Sequence, residues 1–553
     1  MVNDNVHGFW YTILYGNWNR KAVATRMNHS SSDMMKGAAI LTLAAIFTKI
    51  LSALYRVPFQ NIVGDTGFYI FQQVYPFYGI LLALCTYAFP VMISKMIAER
   101  RERSSQGEVQ RVIHISFLYL TLVGLVFFIL LRAGAGLIAG WMGDPLLSGL
   151  IAFMSYPFLL MPLLSVSKGW FQANYYMVPP AFSQTAEQLV RVLFILGLSI
   201  MLMAMEASLY TIGKAAVLGS LAGAVTGVFV LLFFLRKQGV SWNSIKWIGF
   251  QKSDRSIIRQ LTVTGTAIGM GSMMLVLYQL MDALNVYSLL VQSGIGEQAA
   301  KGLKGIYDRG QPMLQMGVVV ATSLSLAIVP IIASAYESNK TEEVKEQARL
   351  AVKVGLLFGA AAAAGLMNII QPLNTMLFQD AEGSRVLALY MVSVLLASVI
   401  LTISAILQGM GDVHVAAWSI VFSLIIKYGL NQLLIPSFGT LGASAATVLS
   451  LMFVMTVVIR QIRRRVGPLL YALFYKRLIA GLAGMSGGIQ FILFLPVDWT
   501  GSRPMASLAC LITVAAGIWL FFKIVWRKGL FTAAEVRQIP LGRKLERVFG
   551  PLP

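Results

Sequence analysis

Apolar residues in this chain come in long blocks, separated by short stretches that hold most of the charge. The blocks fit neither the two-residue alternation of a half-buried strand nor the narrow apolar stripe of a surface helix. A hydrocarbon core about 30 Å thick takes about 20 apolar residues per helix. By that measure fourteen spans are predicted, near residues 37–57, 68–94, 112–132, 148–167, 179–204, 211–235, 261–291, 311–336, 351–378, 386–408, 414–436, 440–460, 478–497 and 505–525. Gly and Pro recur inside them, as membrane helices tolerate. The fold class is an all-α polytopic membrane protein.

The connections give an orientation. With the N-terminus inside, the cytoplasmic segments carry 32 Lys and Arg and the opposite connections seven: Arg132, Lys214, Lys301, Lys304, Arg309, Arg385 and Arg503. That bias predicts that both termini are cytoplasmic. The first 36 residues lack the apolar core and small-residue cleavage site of a signal peptide. They read as a poorly ordered tail, or as chain upstream of a true start at Met27, Met34 or Met35.

Composition narrows the class further. Of 553 residues, 57% are hydrophobic and 12% charged, with a formal net charge of +21. Such a balance in a soluble chain would suggest nucleic acid. Here the basic residues sit between apolar blocks, so anionic lipid head groups are the expected neighbours and nucleic acid is not. Cys85 and Cys510 both lie in apolar runs, and the four histidines never approach metal-ligand spacing. Gly213-Lys214-Ala215 lacks the spaced glycine and hydroxyl residue of a phosphate loop. No compact catalytic motif is present and no soluble domain exists to hold one, so no enzyme activity and no cofactor is expected.

The chain also repeats itself. Ala88-Phe89-Pro90-Val91-Met92-Ile93 closes the second span, and Ile328-Val329-Pro330-Ile331-Ile332 closes the eighth. Phe171-Gln172-Ala173 precedes the fifth span and Leu407-Gln408-Gly409 the eleventh, 236 residues later, and in that register Arg191 falls on Lys427. Two six-helix halves follow, 37–236 and 261–460, joined by a basic linker at 237–260. Beyond them lie a basic loop at 461–477, two further helices within 478–525 and a tail at 526–553. Landmarks in one order, in halves with an even number of spans, make the repeat parallel. The natural site is then a central cavity between the halves.

A cation at the centre of a membrane helix costs about 2.5–3.5 kcal/mol. Lys49 and Arg56 lie seven residues apart and are expected on one face of the first span. Arg191 sits in the fifth span and Lys427 in the eleventh. Against these four stand Glu187 and Asp282, an excess of two positive charges. Local roles are open for several of them. Arg56 can snorkel to the interface, Glu187 and Arg191 can pair at i,i+4, and Asp282 can meet Lys49 or Arg56 across the cavity. Glu187 and Asp282 are also the two credible intramembrane carboxylates for an ion. The sharper reading is a chamber that receives a phosphate-bearing head group, for which guanidinium offers a planar fork. Gln72, Gln73 and Tyr75 are candidate sugar contacts; Tyr69 and Tyr75 can instead form an interfacial aromatic belt.

The run Thr48-Lys49-Ile50-Leu51-Ser52-Ala53-Leu54-Tyr55-Arg56, then Gly64-Asp65-Thr66-Gly67, Phe89-Pro90-Val91-Met92-Ile93-Ser94-Lys95, Gly169-Trp170-Phe171-Gln172-Ala173 and Gln184-Thr185-Ala186-Glu187-Gln188-Leu189-Val190-Arg191 resembles a known family. It is the polysaccharide-transport, stage V sporulation protein B-like branch of the multidrug/oligosaccharidyl-lipid/polysaccharide (MOP) exporter superfamily, related to lipid II flippases. The resemblance spans about residues 36–525 and is strongest in the first half. It implies two six-helix lobes in a V around a cationic cavity, alternating access, and flipping of undecaprenyl-diphosphate-linked oligosaccharide for peptidoglycan or other wall polysaccharide at the cell membrane. It also implies that basic residues of the first helix engage the diphosphate. Lys49 and Arg56 occupy comparable places, with Lys where Arg is usual and Arg56 one residue further on. The last two helices resemble a pair that continues a groove for the lipid tail. Two other functions stay open: a multidrug cation antiporter, against which a cationic interior argues, and a non-transporting scaffold that joins wall-synthesis proteins for wall or spore-cortex assembly.

Overall fold

The computed structural model describes residues 31–103, 106–238, 251–531 and 535. The expectations for residues 1–30, for most of the basic linker and for most of the C-terminal tail lie outside them. Every regular element among the described residues is helical. Eleven stretches are long and apolar enough to cross a bilayer, and the first, Ile40–Arg101, runs for 62 residues and contains two predicted spans. The predicted spans near 311–336 and 478–497 are also helical, over Val319–Glu337 and Ala472–Leu493. The architecture is compatible with fourteen crossings.

Helix α1 (Ser31–Leu54) ends before α2 (Arg56–Ala83) begins. Pro58 has no N–H to offer Leu54, its partner four residues back, so one helical hydrogen bond is missing there. Tyr55 between the two elements keeps helical dihedrals, φ −64° and ψ −24°, so Arg56 continues the first crossing seven residues beyond Lys49. A kink at Gly64, with φ of 68°, divides α2 again. After a π-helical turn at Leu84–Ala88 come α3 (Phe89–Arg103) and α4 (Gln106–Ala133). The fourth crossing, Pro145–Ala173, is broken by a 3-10 turn before α5 (Met161–Ala173). Then follow α6 (Val178–Ala204), which has Pro within its first two positions, and α7 (Leu209–Lys237), capped by the Ser208 hydroxyl.

The second half begins with a π turn at Gln260–Gly265 and α8 (Thr266–Gln292). It continues through α9 (Glu297–Asp308), α10 (Val319–Glu337), α11 (Thr341–Asn368), α12 (Ser384–Gly409), α13 (His414–Phe438) and α14 (Thr440–Val466). Arg463, Arg464 and Arg465 close α14, where cations favour the negative end of a helix dipole. The pair α15 (Ala472–Leu493) and α16 (Arg503–Arg527) packs together, α15 against α11. The two lobes meet where α2 packs on α8 and α9, and where α1 packs on α10. The π turns lie in this contact: a Cβ on Gly269 would stand 3.2 Å from Ala88 and Leu84, and one on Gly265 3.5 Å from Phe89.

Two helices aim charge inward. Ser183, Glu187, Arg191, Ile195 and Ser199 form a buried stripe on α6 at four-residue spacing, while Leu189 and Leu193 face outward. On α13 the stripe is Ser419, Ser423, Lys427, Asn431 and Ile435, with Phe422, Ile425 and Leu433 outward. Arg191 and Lys427 thus sit on equivalent inward faces, as their offset predicts.

Candidate functional site: a tyrosine cage around two guanidinium groups

Arg56 is fully buried, and it does not snorkel. Its guanidinium carbon lies 4.3 Å from the centroid of the Tyr75 ring, and none of its three side-chain nitrogens has a hydrogen-bond partner among the described residues. Arg191 shares this cage: its guanidinium carbon is 5.0 Å from the Tyr78 ring, 5.7 Å from Tyr55 and 6.0 Å from Tyr75. Its Nη2 donates to the Ser52 hydroxyl at 3.4 Å, while Nε and Nη1 are buried without a partner. A guanidinium over an aromatic face gains about 0.5–2 kcal/mol, which offsets only part of the cost of burial. Five guanidinium nitrogens are left to bind oxygen acceptors.

Glu187 does not neutralise Arg191 by a direct ion pair. Its Oε1 accepts a hydrogen bond from the Tyr78 hydroxyl at 2.7 Å, and its Oε2 lies 3.9 Å from Lys168 Nζ. Lys168, in a segment that reads as a short cytoplasmic loop, is in fact buried on α5. Lys49 is half-buried on α1, with Nζ 5.7 Å from the Tyr87 ring centroid. Gln73 donates to the backbone carbonyl of Ala283 at 3.0 Å, so its amide joins the two lobes. Gln72 is buried with its carbonyl oxygen unpartnered. Tyr75 is the floor of the guanidinium cage, and Tyr69 is buried and donates to Asp144 at 3.2 Å, so neither belongs to an interfacial belt.

Lys427 lies in a different environment. Its ammonium is 2.8 Å from Asp282 Oδ1 and bonds the Thr447 hydroxyl. Asp282 thus meets the second-half cation rather than Lys49 or Arg56. Its Oδ2 accepts from the Tyr307 hydroxyl at 2.8 Å. Interior charge is divided unequally: the second lobe holds a neutralised pair, the first an uncompensated one.

One end of the bundle is bolted across the lobes. Arg309, fully buried, donates to both oxygens of Asp65 at 2.9 and 2.6 Å and to both oxygens of Asp380 at 2.6 and 2.8 Å. Asn61 donates to Leu377 O at 3.0 Å, and Lys301 Nζ donates to the Tyr210 hydroxyl at 2.9 Å. Toward the other end, Arg111 holds Asp254 through two short bonds of 2.5 and 2.6 Å. In the sequence, Lys301, Lys304 and Arg309 read as cations of a connection on the side opposite the cytoplasm. The i,i+4 spacing of Lys304 and Asp308 carried a local hint of pairing; the partners of Arg309 lie 244 and 71 residues away and gave none.

These features define a multi-pass helical membrane protein of transporter architecture, with a buried cationic cage beside the seam of two lobes. Residues 34–336 match the family model described as "Polysaccharide biosynthesis protein", and residues 283–433 match "MatE". The chain belongs to the polysaccharide biosynthesis protein family of the MOP superfamily, as its resemblance implies. It is 39% identical to "Uncharacterized membrane protein YabM" of Bacillus subtilis (strain 168), over 93% of this chain and 96% of that one. It is 23% identical to "Lipid II flippase MurJ" of the same organism, over 92% of this chain and 98% of that one. Among solved structures it is similar to "Lipid II flippase MurJ, inward closed conformation", with a TM-score of 0.66, 14% identity and coverage of 88% of this chain and 98% of that chain.

Proposed function

We propose that this protein is a flippase for undecaprenyl-diphosphate-linked oligosaccharide, a precursor of peptidoglycan or another wall polysaccharide, working by alternating access in the cell membrane with both termini cytoplasmic. The observation that carries this reading is the cage: Arg56 and Arg191 bring five buried nitrogens to one set of rings, and among the described residues these nitrogens have no hydrogen-bond partner and no carboxylate forms an ion pair with either side chain. A diphosphate supplies the multiple oxygens and the negative charge that two planar forks require. Lys49, seven residues before Arg56 on the same crossing, adds a third cation. Gln72, with its buried carbonyl oxygen unpartnered, is taken as a sugar contact, and Gln73 serves the head group only when its bond to Ala283 opens. The lobes are taken as 37–236 and 261–460, with the last two helices beside the second. A relative named for lipid II flipping over nearly the whole chain supports the same class of cargo. With the interior negative, moving one negative charge outward gains about 2.3 kcal/mol per 100 mV, so an anionic head group leaves downhill without nucleotide hydrolysis. The chemistry is displacement across a membrane, not bond-making.

The test is the Arg56→Gln/Arg191→Gln double variant in cells depleted of the native protein. Charged hydrogen bonds are worth about 1.5–3 kcal/mol each, so translocation of polyprenyl-linked precursor is expected to fall by at least about tenfold. Membrane abundance should stay normal, and the precursor should accumulate on the inner leaflet. Full complementation by the variant would instead favour a scaffold. Loss of drug resistance, with precursor handling unchanged, would favour a cation antiporter.

A further inference from the structure

Asp282 is the carboxylate of the second lobe that the sequence offers to a coupling ion, and the structure shows what occupies it. Lys427 Nζ stands 2.8 Å from Oδ1, and both side chains are buried to 1% exposure or less. The Thr447 hydroxyl contacts the same ammonium, and the Tyr307 hydroxyl closes the other carboxylate oxygen. One helical turn beyond Lys427, Asn431 donates to Asn285 Oδ1 at 2.9 Å and to Asp282 Oδ1 at 3.4 Å. Its own Oδ1 is buried without a partner. Carboxylate, hydroxyl and amide oxygens converging from α8, α9, α13 and α14 are hard ligands, the type that holds hydrated-shell cations such as Na+ in place of their water. Here the cation in their midst is a side chain.

We propose that Lys427 is a tethered cation: its ammonium stands where a monovalent metal ion would otherwise be drawn by Asp282, so the second lobe of this protein takes up no alkali ion, and removing the ammonium uncovers a site for one. Two features argue for this over a generic buried salt bridge. The equivalent cation of the first lobe, Arg191, faces Ser52 and tyrosine rings with no carboxylate among the described residues at ion-pair distance, so neutralisation is not imposed by the repeat. The carboxylate also keeps oxygen-bearing neighbours beyond what one ammonium uses, including the unpartnered Asn431 carbonyl. Removing the ammonium alone leaves a buried unpaired charge, which is strongly unfavourable until another cation arrives. The consequence for transport rests on the flippase reading above; ion binding itself does not, and is measured without cargo.

The experiment uses the purified full-length protein, with thermal unfolding followed at constant ionic strength in NaCl, KCl or choline chloride. The wild-type midpoints should coincide. Lys427→Ala should unfold at a lower temperature in choline and shift upward in Na+ or K+. The shift should vanish in Lys427→Ala/Asp282→Asn. The proposal is overturned if the wild type is itself stabilised by Na+ over choline and loses that response in Asp282→Asn. It is equally overturned if folded Lys427→Ala is indifferent to the cation, or if that variant folds in none of the three salts, since an alkali ion should rescue it. In parallel, wild-type precursor translocation should be unchanged when choline replaces Na+. Absence of translocation in both salts would count against the flippase reading and leave the ion measurement standing.

Discussion

At the residue scale, the Arg56–Tyr75 contact separates charge recognition from simple packing. A guanidinium 4.3 Å from a ring centroid is held by the electron density of the ring face, which phenylalanine keeps and leucine lacks. Tyr75→Phe is therefore expected to retain translocation within about twofold, while Tyr75→Leu loses about 1–2 kcal/mol of cation placement and about tenfold in rate. Equal losses in the two variants, in a precursor translocation assay, would remove the ring from the argument. A second titratable pair lies outside the spans: Lys304 Nζ contacts both oxygens of Asp308 at 2.6 Å. Burial still pushes the Asp308 carboxyl up to about 6, with Lys304 pulling the other way. A carboxyl raised in the folded state contributes stability that is complete below its ordinary value of 3.8 and is lost as pH rises through about 6. The thermal midpoint should fall between pH 5 and 7.5, and Asp308→Asn should flatten that fall. The charged residues of the cage were legible in sequence because a cation inside an apolar run stands out. Their surroundings were not: Tyr75 and Tyr78, the rings that face the two guanidinium groups, lie beyond the Gly64 kink, and Lys168 reads as loop because its partner Glu187 is on a different element.

At the scale of elements, the hydropathy blocks translate into helices almost directly, because a backbone in hydrocarbon must satisfy its own hydrogen bonds. Connections obey no such rule, and there the sequence was least informative. The stretch after α8 reads as a connection opposite the cytoplasm, yet α9 packs so closely on α2 that a Cβ on Gly305 would stand 2.2 Å from the Asp65 carbonyl oxygen. Arg309, just past its end, holds Asp65 and Asp380 together with four hydrogen bonds. In the proposed orientation this is the outer end of the molecule. Removing one partner of a buried, hydrogen-bonded charge pair costs about 3–5 kcal/mol, so Arg309→Ala should release the outer closure. Gln72, 6% exposed on the second crossing, reports it: in a Gln72→Cys background, labelling by a membrane-impermeant maleimide from outside should be slow and should rise severalfold with Arg309→Ala. Unchanged labelling would show that Asn61, Lys301 and their partners keep that end shut without Arg309.

At the scale of the whole molecule, the parallel repeat puts equivalent cations on equivalent stripes and then treats them differently. Arg191 on α6 reaches α1, the first helix of its lobe, through Ser52; Lys427 on α13 reaches α8, the first helix of the second lobe, through Asp282. The register was visible in the sequence. The unequal neutralisation was not, because Asp282 and Lys427 are 145 positions apart and no local pattern couples them. If the uncompensated charge of the first lobe is what draws the diphosphate, supplying it with a carboxylate should disable transport while leaving the fold intact. Ser52→Asp makes that change, since the Ser52 hydroxyl lies 3.4 Å from Arg191 Nη2. A buried carboxylate beside an unpaired guanidinium gains both charge and hydrogen bonds, so the thermal midpoint should equal or exceed that of wild type. Translocation should fall at least as far as in the Arg56→Gln/Arg191→Gln variant, although Ser52→Asp removes no cation. Ser52→Asn, close in size and without charge, should remain near wild type in both measurements. Equal losses in Asp and Asn would make the effect steric, and normal translocation in Ser52→Asp would mean that the free guanidinium of Arg191 does not select the cargo.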